Sequence, residues 1–326
     1  MNTVNQTPNP LALIADDMQA MDHVIAQRLT TSVPLIGQIS HYIIAAGGKR
    51  LRPALLLMVS NALGDHNPHR HMLAAVVELI HTATLLHDDV VDASTMRRGR
   101  PTANESFGNP ASVLVGDFLH TRSFQMMVEA GNMRILQVLS DATNIIAEGE
   151  VQQLINTHDA SLDEAGYLHV IRSKTAKLFE ASTQIAAILA QATPAVEQAC
   201  ATYGQALGTA FQIIDDVLDY DGDATEMGKN LGDDLREGKC TLPLIIAMQR
   251  AIPSDAQVIR SAIETGSTEQ LPAILQIVKT TGALEATRQA AHDEAMRAIA
   301  CLEALPDNSY TLAMQQLASQ LLLRRT

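Results

Sequence analysis

The chain has no tryptophan, and aromatic side chains make up only 3% of its residues. That scarcity speaks against an aromatic-rich β-sandwich core. The hydrophobic content, 47%, is rich in Ala, Leu, Ile and Met and favours packed helices instead. Positive charge is also short: 23 Lys and Arg face 36 Asp and Glu, a net charge of −13, which argues against nucleic acid as a partner. Only three cysteines occur, Cys200, Cys240 and Cys301, widely spaced and without a CxxC pair. A disulfide framework or zinc site is not expected from them, and a reducing cytoplasm suits them better. No apolar run approaches the ~20 residues that span a bilayer, Pro53 to Val59 being the kind of run available. Met1 to Pro10 is polar with no basic stretch, so no secretory signal is expected.

Helix punctuation, by contrast, is plentiful. Asn67-Pro68, Asn109-Pro110 and Thr193-Pro194 each set a capping residue before a proline, and Ser161 to Glu164 is a capping box. Apolar periodicity predicts long helices over roughly 68–92, 110–130, 133–157, 162–191 and 194–222. Shorter ones are expected at 10–32, 35–47, 51–63, 242–251, 255–264, 269–278, 280–304 and 308–323. Alternating β-branched runs and hairpin turns are missing, so no strand is expected. With no Pro/Gly/Ser-rich linker, the expectation is one all-α domain over 1–326, with 1–9 flexible.

Two acidic motifs share one spacing, Asp88-Asp89-Val90-Val91-Asp92 and Asp215-Asp216-Val217-Leu218-Asp219. On a helix, positions i and i+4 lie on one face, and carboxylates crowded there resist ionisation unless cations neutralise them. Either motif alone reads equally well as a solvated acidic helix. The apolar flanks, Leu85-Leu86 and Phe211 to Ile214, and the repetition favour two walls of a magnesium site with a diphosphate between them. Basic groups accompany them: Lys49, Arg50 and Arg52 in the turn Gly47 to Pro53, His81 two helical turns before Asp88, Arg97-Arg98, Lys174-Thr175, Lys229 and Lys239. Singly, each reads as solvated charge, or for His81 as a satisfied buried histidine. Lys, and Arg with its forked donors, are nevertheless suited to phosphate oxygens.

Together, and in this order, Gly47 to Pro53, Glu78 to Pro101, Lys174 to Ala176 and Gly208 to Leu244 resemble the trans-isoprenyl diphosphate synthases, from about residue 10 to the C-terminus. The wording around the first acidic motif and from Gly232 to Leu244 is most similar to the bacterial octaprenyl-forming members, which make a ubiquinone side-chain precursor. The resemblance implies an isoprenoid-synthase helical bundle with a central cavity. It implies an enzyme that repeatedly condenses isopentenyl diphosphate onto an allylic diphosphate such as farnesyl diphosphate, up to a C40 product for the ubiquinone or menaquinone side chain. Asp88, Asp92 and Asp215 would bind up to three Mg²⁺ ions on the allylic diphosphate, with Asp89, Asp216 and Asp219 in support. Arg97, Lys174, Thr175, Gln212, Lys229 and Lys239 would hold that diphosphate; Lys49, Arg52, His81 and Arg98 would hold isopentenyl diphosphate without a metal. The one departure is His81, where short-chain members often carry Gln. A homodimer in the cytoplasm is implied, with transient membrane contact at product release. A terpene cyclase would leave Lys49, Arg52 and Arg98 without a purpose. A non-catalytic partner subunit is disfavoured because both acid triads are whole. Arg324 and Arg325 could help close the site, but a frayed, solvated tail is the expectation.

A chain growing from Asp88 would pass Ala83 and Thr84, one turn toward the N-terminus, where both residues are small. Phe124, Met126 and Met127 are candidates for the tunnel floor. Small residues here serve close helix packing equally well. Ala83→Tyr is expected to shorten the product markedly, and an unchanged product ladder on chromatography would count against this tunnel.

Overall fold

The structure is a computed structural model that describes residues 9–221 and 231–324. A 3₁₀ turn, Pro10–Ile14, leads into α1 (Ala15–Arg28), α2 (Pro34–Ala45), α3 (Leu51–Ala62) and α4 (Arg70–Val91). A short hairpin, β1 (Met96–Arg97) and β2 (Arg100–Pro101), precedes α5 (Ala103–Phe107), α6 (Asn109–Glu129) and α7 (Met133–Ile155). Then come α8 (Glu164–Ile171), a π-wound segment (Arg172–Ala176), α9 (Lys177–Leu189) and α10 (Pro194–Asp221). The chain closes with α11 (Asp233–Arg236), α12 (Leu242–Arg250), α13 (Pro253–Thr265), α14 (Leu271–Thr280), α15 (Ala283–Cys301) and α16 (Ser309–Leu321).

Local chemistry explains many of these boundaries. The Asn132 carboxamide accepts from the N–H groups of Arg134 and Ile135, Asp163 accepts from Gly166, and Asn308 accepts from Tyr310 and Thr311. Each satisfies donors that a helix start leaves orphaned. Prolines enter the first turns of α2, α6, α12, α13 and α14, where the missing N–H costs nothing.

The helices enclose two hydrophobic clusters, and α10 runs through both. Leu207 and Ala210 belong to the larger cluster with α3, α4 and α9; Ile213, Ile214 and Leu218 belong to the smaller, built with α12 to α15. Pro53 to Ser60 of α3 are all buried, so this helix is apolar around most of its circumference and sits inside the bundle. The lower part of α4 is buried likewise, from Met72 to Val77. The acidic motifs thus ride on two of the most enclosed helices. Among the described residues, no helix is long and apolar enough to cross a membrane.

The all-α architecture matches expectation, but the helix starts shift, with α4 beginning at Arg70 rather than Pro68, α6 following Gly108 rather than Asn109, and α8 capped by Asp163 rather than Ser161. Three further differences appear. The hairpin Met96–Arg97/Arg100–Pro101 was not expected, because two-residue strands carry no periodicity. The span 162–191 is helical, but it changes pitch at Arg172. The single turns α5 and α11 are too short for an apolar stripe to reveal.

Candidate active site

The first acidic motif forms the last turn of α4, with Asp92 as its C-cap. Asp88 has 17% of its side chain exposed. Burial raises its carboxyl above the usual range; Lys174 opposes that shift and Asp92 adds to it. Lys174 Nζ lies 3.8 Å from Asp88 and 2.6 Å from Glu150 of α7. Burial pushes the Glu150 carboxyl up to about 7, against the pull of Lys174. Asp92 meets Lys239 at 3.2 Å, and Lys239 also pairs with Glu237 at 2.5 Å. Burial alone would lower the Lys239 ammonium, but Glu237, Asp234 and Asp92 outweigh it and raise it. Asp89 turns the other way. It is fully buried and accepts from Arg97, Nε at 2.9 Å and Nη2 at 2.7 Å.

The second motif lies near the end of α10. Asp215 is 41% exposed and pairs with Arg324 at 3.2 Å. Asp216 is buried and accepts from the Tyr167 hydroxyl at 2.5 Å and from Gln212 Nε2 at 2.7 Å. Burial, with Asp234 second, drives its carboxyl well above the normal range. Asp219 accepts the backbone N–H groups of Asp233 and Asp234 at the start of α11; burial, then Asp234, pushes it up to about 8.

The π-wound segment joins the two walls. Lys174 points to Asp88 on α4, while its neighbour Thr175 donates its hydroxyl to Gln212 on α10 at 3.0 Å. Two cavities open here. One of about 130 Å³ reaches Lys174, Thr175, Gln212, Asp216 and Lys239; the other, of about 270 Å³, reaches Asp92, Glu150, Lys174 and Lys239.

A separate cationic nest lies at the start of α3. Arg52 Nη1 is 3.2 Å from His81 Nε2, and its guanidinium lies 4.4 Å from the centre of the Phe179 ring. Burial pulls Arg52 down to about 10, with Glu78 and Asp215 opposing. His81 is driven well below its ordinary value by burial, then by Arg52, Arg98 and Arg97. It is therefore neutral near pH 7, and since arginine can only donate, Nε2 accepts and Nδ1 carries the proton. Arg98, at φ 52°, lays its guanidinium against Gly48, where a Cβ would come within 2.7 Å of it. Burial lowers Arg98, and Arg97 lowers it further. Lys49 is lowered by burial and then by Arg324, whose guanidinium lies 4.8 Å from the Phe211 ring. Glu78 is raised by burial while Arg50, Arg52 and Arg98 resist.

Every anticipated cleft residue within the described chain therefore falls into one of these two neighbouring groups; Lys229 and Arg325 lie outside the described residues. Arg324 corrects the reading of a solvated tail, because it sits on Asp215 and Phe211. Glu150, Tyr167 and Glu237 were not anticipated. Glu150 and Tyr167 join the site only through contacts across helices, which local pattern does not show. Glu78, three residues before His81, could have been found from helical spacing. Of the tunnel candidates, Ala83, Met126 and Met127 are buried in the larger cluster and Phe124 packs against it, its ring edge-on to His120 at 5.1 Å. The Thr84 hydroxyl donates to the His81 carbonyl.

The donor set is all carboxylate oxygen, which fits a hard cation such as Mg²⁺. Among the described residues no three acids converge closely enough to hold an ion alone, so oxygens from a ligand would have to complete a coordination shell.

Residues 33–280 match the family described as polyprenyl synthetase. The chain is 51% identical over 307 residues to octaprenyl diphosphate synthase of Escherichia coli (strain K12), covering 94% of this chain and 95% of that protein. It superposes with a TM-score of 0.93, at 44% identity and 98% coverage of both chains, on a polyprenyl synthase from Caulobacter crescentus complexed with calcium and isoprenyl diphosphate. A decaprenyl diphosphate synthase from Rhodobacter capsulatus gives a TM-score of 0.92 at 44% identity, covering 97% of this chain and 98% of that one.

The neutral His81 carries a testable pH dependence. The unfolded chain takes up a proton at this residue near pH 6.5, and the folded chain only well below that. Stability is thus fully present above pH 6.5 and declines as pH falls through the interval between the two values. His81→Gln, which keeps an acceptor for Arg52, is expected to flatten the pH dependence between 7.5 and 5.5 by up to about 1.4 kcal/mol per pH unit. Urea unfolding across that range reads it; parallel wild-type and variant curves would refute the neutral histidine.

Proposed function

The chain belongs to the polyprenyl synthetase family and is a prenyltransferase that condenses isopentenyl diphosphate onto allylic diphosphates; we propose that it starts from farnesyl diphosphate, depends on Mg²⁺, and stops at octaprenyl (C40) diphosphate. The observation that carries the reading is the adjacency of Lys174 and Thr175, which tie the two acidic helices together beside a separate cationic nest.

On this reading, Asp88, Asp92 and Asp215 hold up to three Mg²⁺ ions together with the allylic diphosphate. When bound, the metal neutralises charge growing on the leaving diphosphate. Arg97, Lys174, Thr175, Gln212, Lys229 and Lys239 grip its oxygens. Lys49, Arg52 and Arg98 clasp isopentenyl diphosphate, and His81 donates to it from Nδ1. The allylic C–O bond breaks and its electron pair leaves with the diphosphate, to which Lys174 and Lys239 donate. The terminal carbon of the isopentenyl double bond then bonds to the allylic carbon held against it. A proton leaves the neighbouring carbon to the released diphosphate, which restores a double bond. The buried Phe179 ring against Arg52, with the partly buried Phe211 beside Arg324, helps keep water from the cation.

The product length rests on the small Ala83 and Thr84 and on the likeness to the E. coli enzyme. We read 1–326 as one domain because α10 threads both clusters. Cytoplasmic residence is supported by three unpaired cysteines, and brief membrane contact by the greasiness of the product. We also propose a homodimer, supported by the exposed Leu114 and Val128 of α6 and Met133 and Val151 of α7; a monomer in sedimentation at micromolar concentration would count against it.

Incubation with labelled isopentenyl diphosphate, farnesyl diphosphate and Mg²⁺ is expected to yield C40 diphosphate by mass spectrometry, with nothing extended in EDTA. Asp88→Ala and Asp215→Ala should each lower kcat by about 10²- to 10⁴-fold, in the range typical for removing electrostatic or acid–base groups. A wild-type rate for either variant would remove the acidic cleft from the mechanism.

A further inference from the structure

The segment Arg172–Ala176 departs from α-helical winding at the two residues that join the acidic helices. A π-turn is rare and occurs mostly as a single-turn bulge inside an α-helix, frequently at a functional site. Two close backbone approaches flank this one. On α7, a Cβ at Gly149 would stand 2.8 Å from Ser173 Cβ and 2.9 Å from the Lys174 nitrogen. On α10, a Cβ at Gly208 would stand 2.7 Å from Ala176 Cα. The atoms encountered include main chain on both sides, so the turn itself would have to move. Each glycine also lies close in sequence to a site partner: Glu150, which holds Lys174 at 2.6 Å, follows Gly149, and Gln212, which accepts from Thr175, is one turn after Gly208. Arg172 ties the start of the turn to Glu294 at 2.7 Å.

We propose that Gly149 and Gly208 are positioning residues: their missing side chains let α7 and α10 close on the π-turn from both sides, and this fixes the Lys174 ammonium and Thr175 hydroxyl toward the allylic diphosphate. The proposal rests on the reading that these two groups bind that diphosphate. It differs from ordinary close packing of helices, for which the same helix supplies a control. One turn before Gly208, a Cβ at Gly204 would meet the Phe179 carbonyl oxygen and the Thr183 hydroxyl, each at 2.4 Å, as tight a contact, but with neither the π-turn nor a residue assigned to the allylic diphosphate.

Steady-state kinetics with farnesyl diphosphate and isopentenyl diphosphate, alongside thermal melts, test this. Gly149→Ala and Gly208→Ala are expected to raise KM for farnesyl diphosphate about tenfold or more, as displacement of a positioned group by roughly 1 Å does, with KM for isopentenyl diphosphate within about twofold of wild type. Gly204→Ala should lower the Tm and leave the KM for farnesyl diphosphate unchanged. A farnesyl KM that Gly204→Ala moves as far as the other two, or that Gly149→Ala and Gly208→Ala leave alone, overturns the proposal. Should an alanine variant not fold, Arg172→Met loosens the same turn without a clash; it is expected to raise the farnesyl KM alone, and a wild-type KM overturns the proposal. Lys174→Ala separates the two levels. If it leaves the farnesyl KM unchanged, the assignment of Lys174 fails and the proposal fails with it; if it raises that KM while the glycine variants do not, only the positioning role is lost.

Discussion

Charge compensation in a poorly hydrated cleft governs this molecule. Asp88, Asp92 and Asp215 each face a cation supplied by a distant part of the chain: Lys174, Lys239 and Arg324. A carboxylate taken out of water is tolerated only when paired. Two of these partners, Lys174 and Lys239, are groups that, on the proposed reading, grip the substrate. Arrival of a metal-bound diphosphate then exchanges partners without stranding charge, since carboxylates turn to metal and cations turn to phosphate. A chain with only 23 basic residues meets this demand by concentrating several of them around the acidic helix ends.

The shared spacing of the two acidic motifs conceals different uses. On α4, the i and i+4 acids meet cations at the cleft while the middle one is buried and bound twice by Arg97. On α10, only Asp215 is substantially exposed; Asp216 is held by Tyr167 and Gln212, and Asp219 caps α11 through two backbone N–H groups. One wall thus puts two of its acids to the cleft, and the other spends two on fixing its own surroundings. Removing Asp216 would strand the buried Tyr167 hydroxyl, and removing Asp89 would take from Arg97 its carboxylate partner, so on the proposed reading these two acids serve catalysis through geometry.

Helix period, proline at first turns and the i, i+4 acids were legible because each is a local rule about one helix. The metal and phosphate roles came from motif order and resemblance, which placed Lys49, Arg52, His81 and Arg98 together before any contact between them was visible. The π-turn was not legible: the close approaches that flank it come from Gly149 and Gly208 on other helices, and periodicity alone reads 162–191 as regular. Glu150 and Tyr167 were missed for the same reason, and Arg324 was misjudged because its tether to Asp215 spans 109 residues.

The helix ends also explain why one diphosphate would need metal and the other would not. Asp88 and Asp92 stand at the C-terminal end of α4, where the helix adds its own partial negative charge to theirs. A diphosphate brought there meets repulsion unless cations lie between, and the neighbouring lysines are already engaged by acids. Lys49, Arg50 and Arg52 stand at the N-terminal end of α3, where the dipole is positive and backbone donors await an anion. On the proposed reading that end takes phosphate without a metal, and burial keeps His81 uncharged, so it would donate without adding another cation to a nest of arginines. On the proposed reading, opposite helix ends would thus sort two chemically identical head groups into a metal-dependent seat and one that needs no metal, with the tail of the first brought against the double bond of the second.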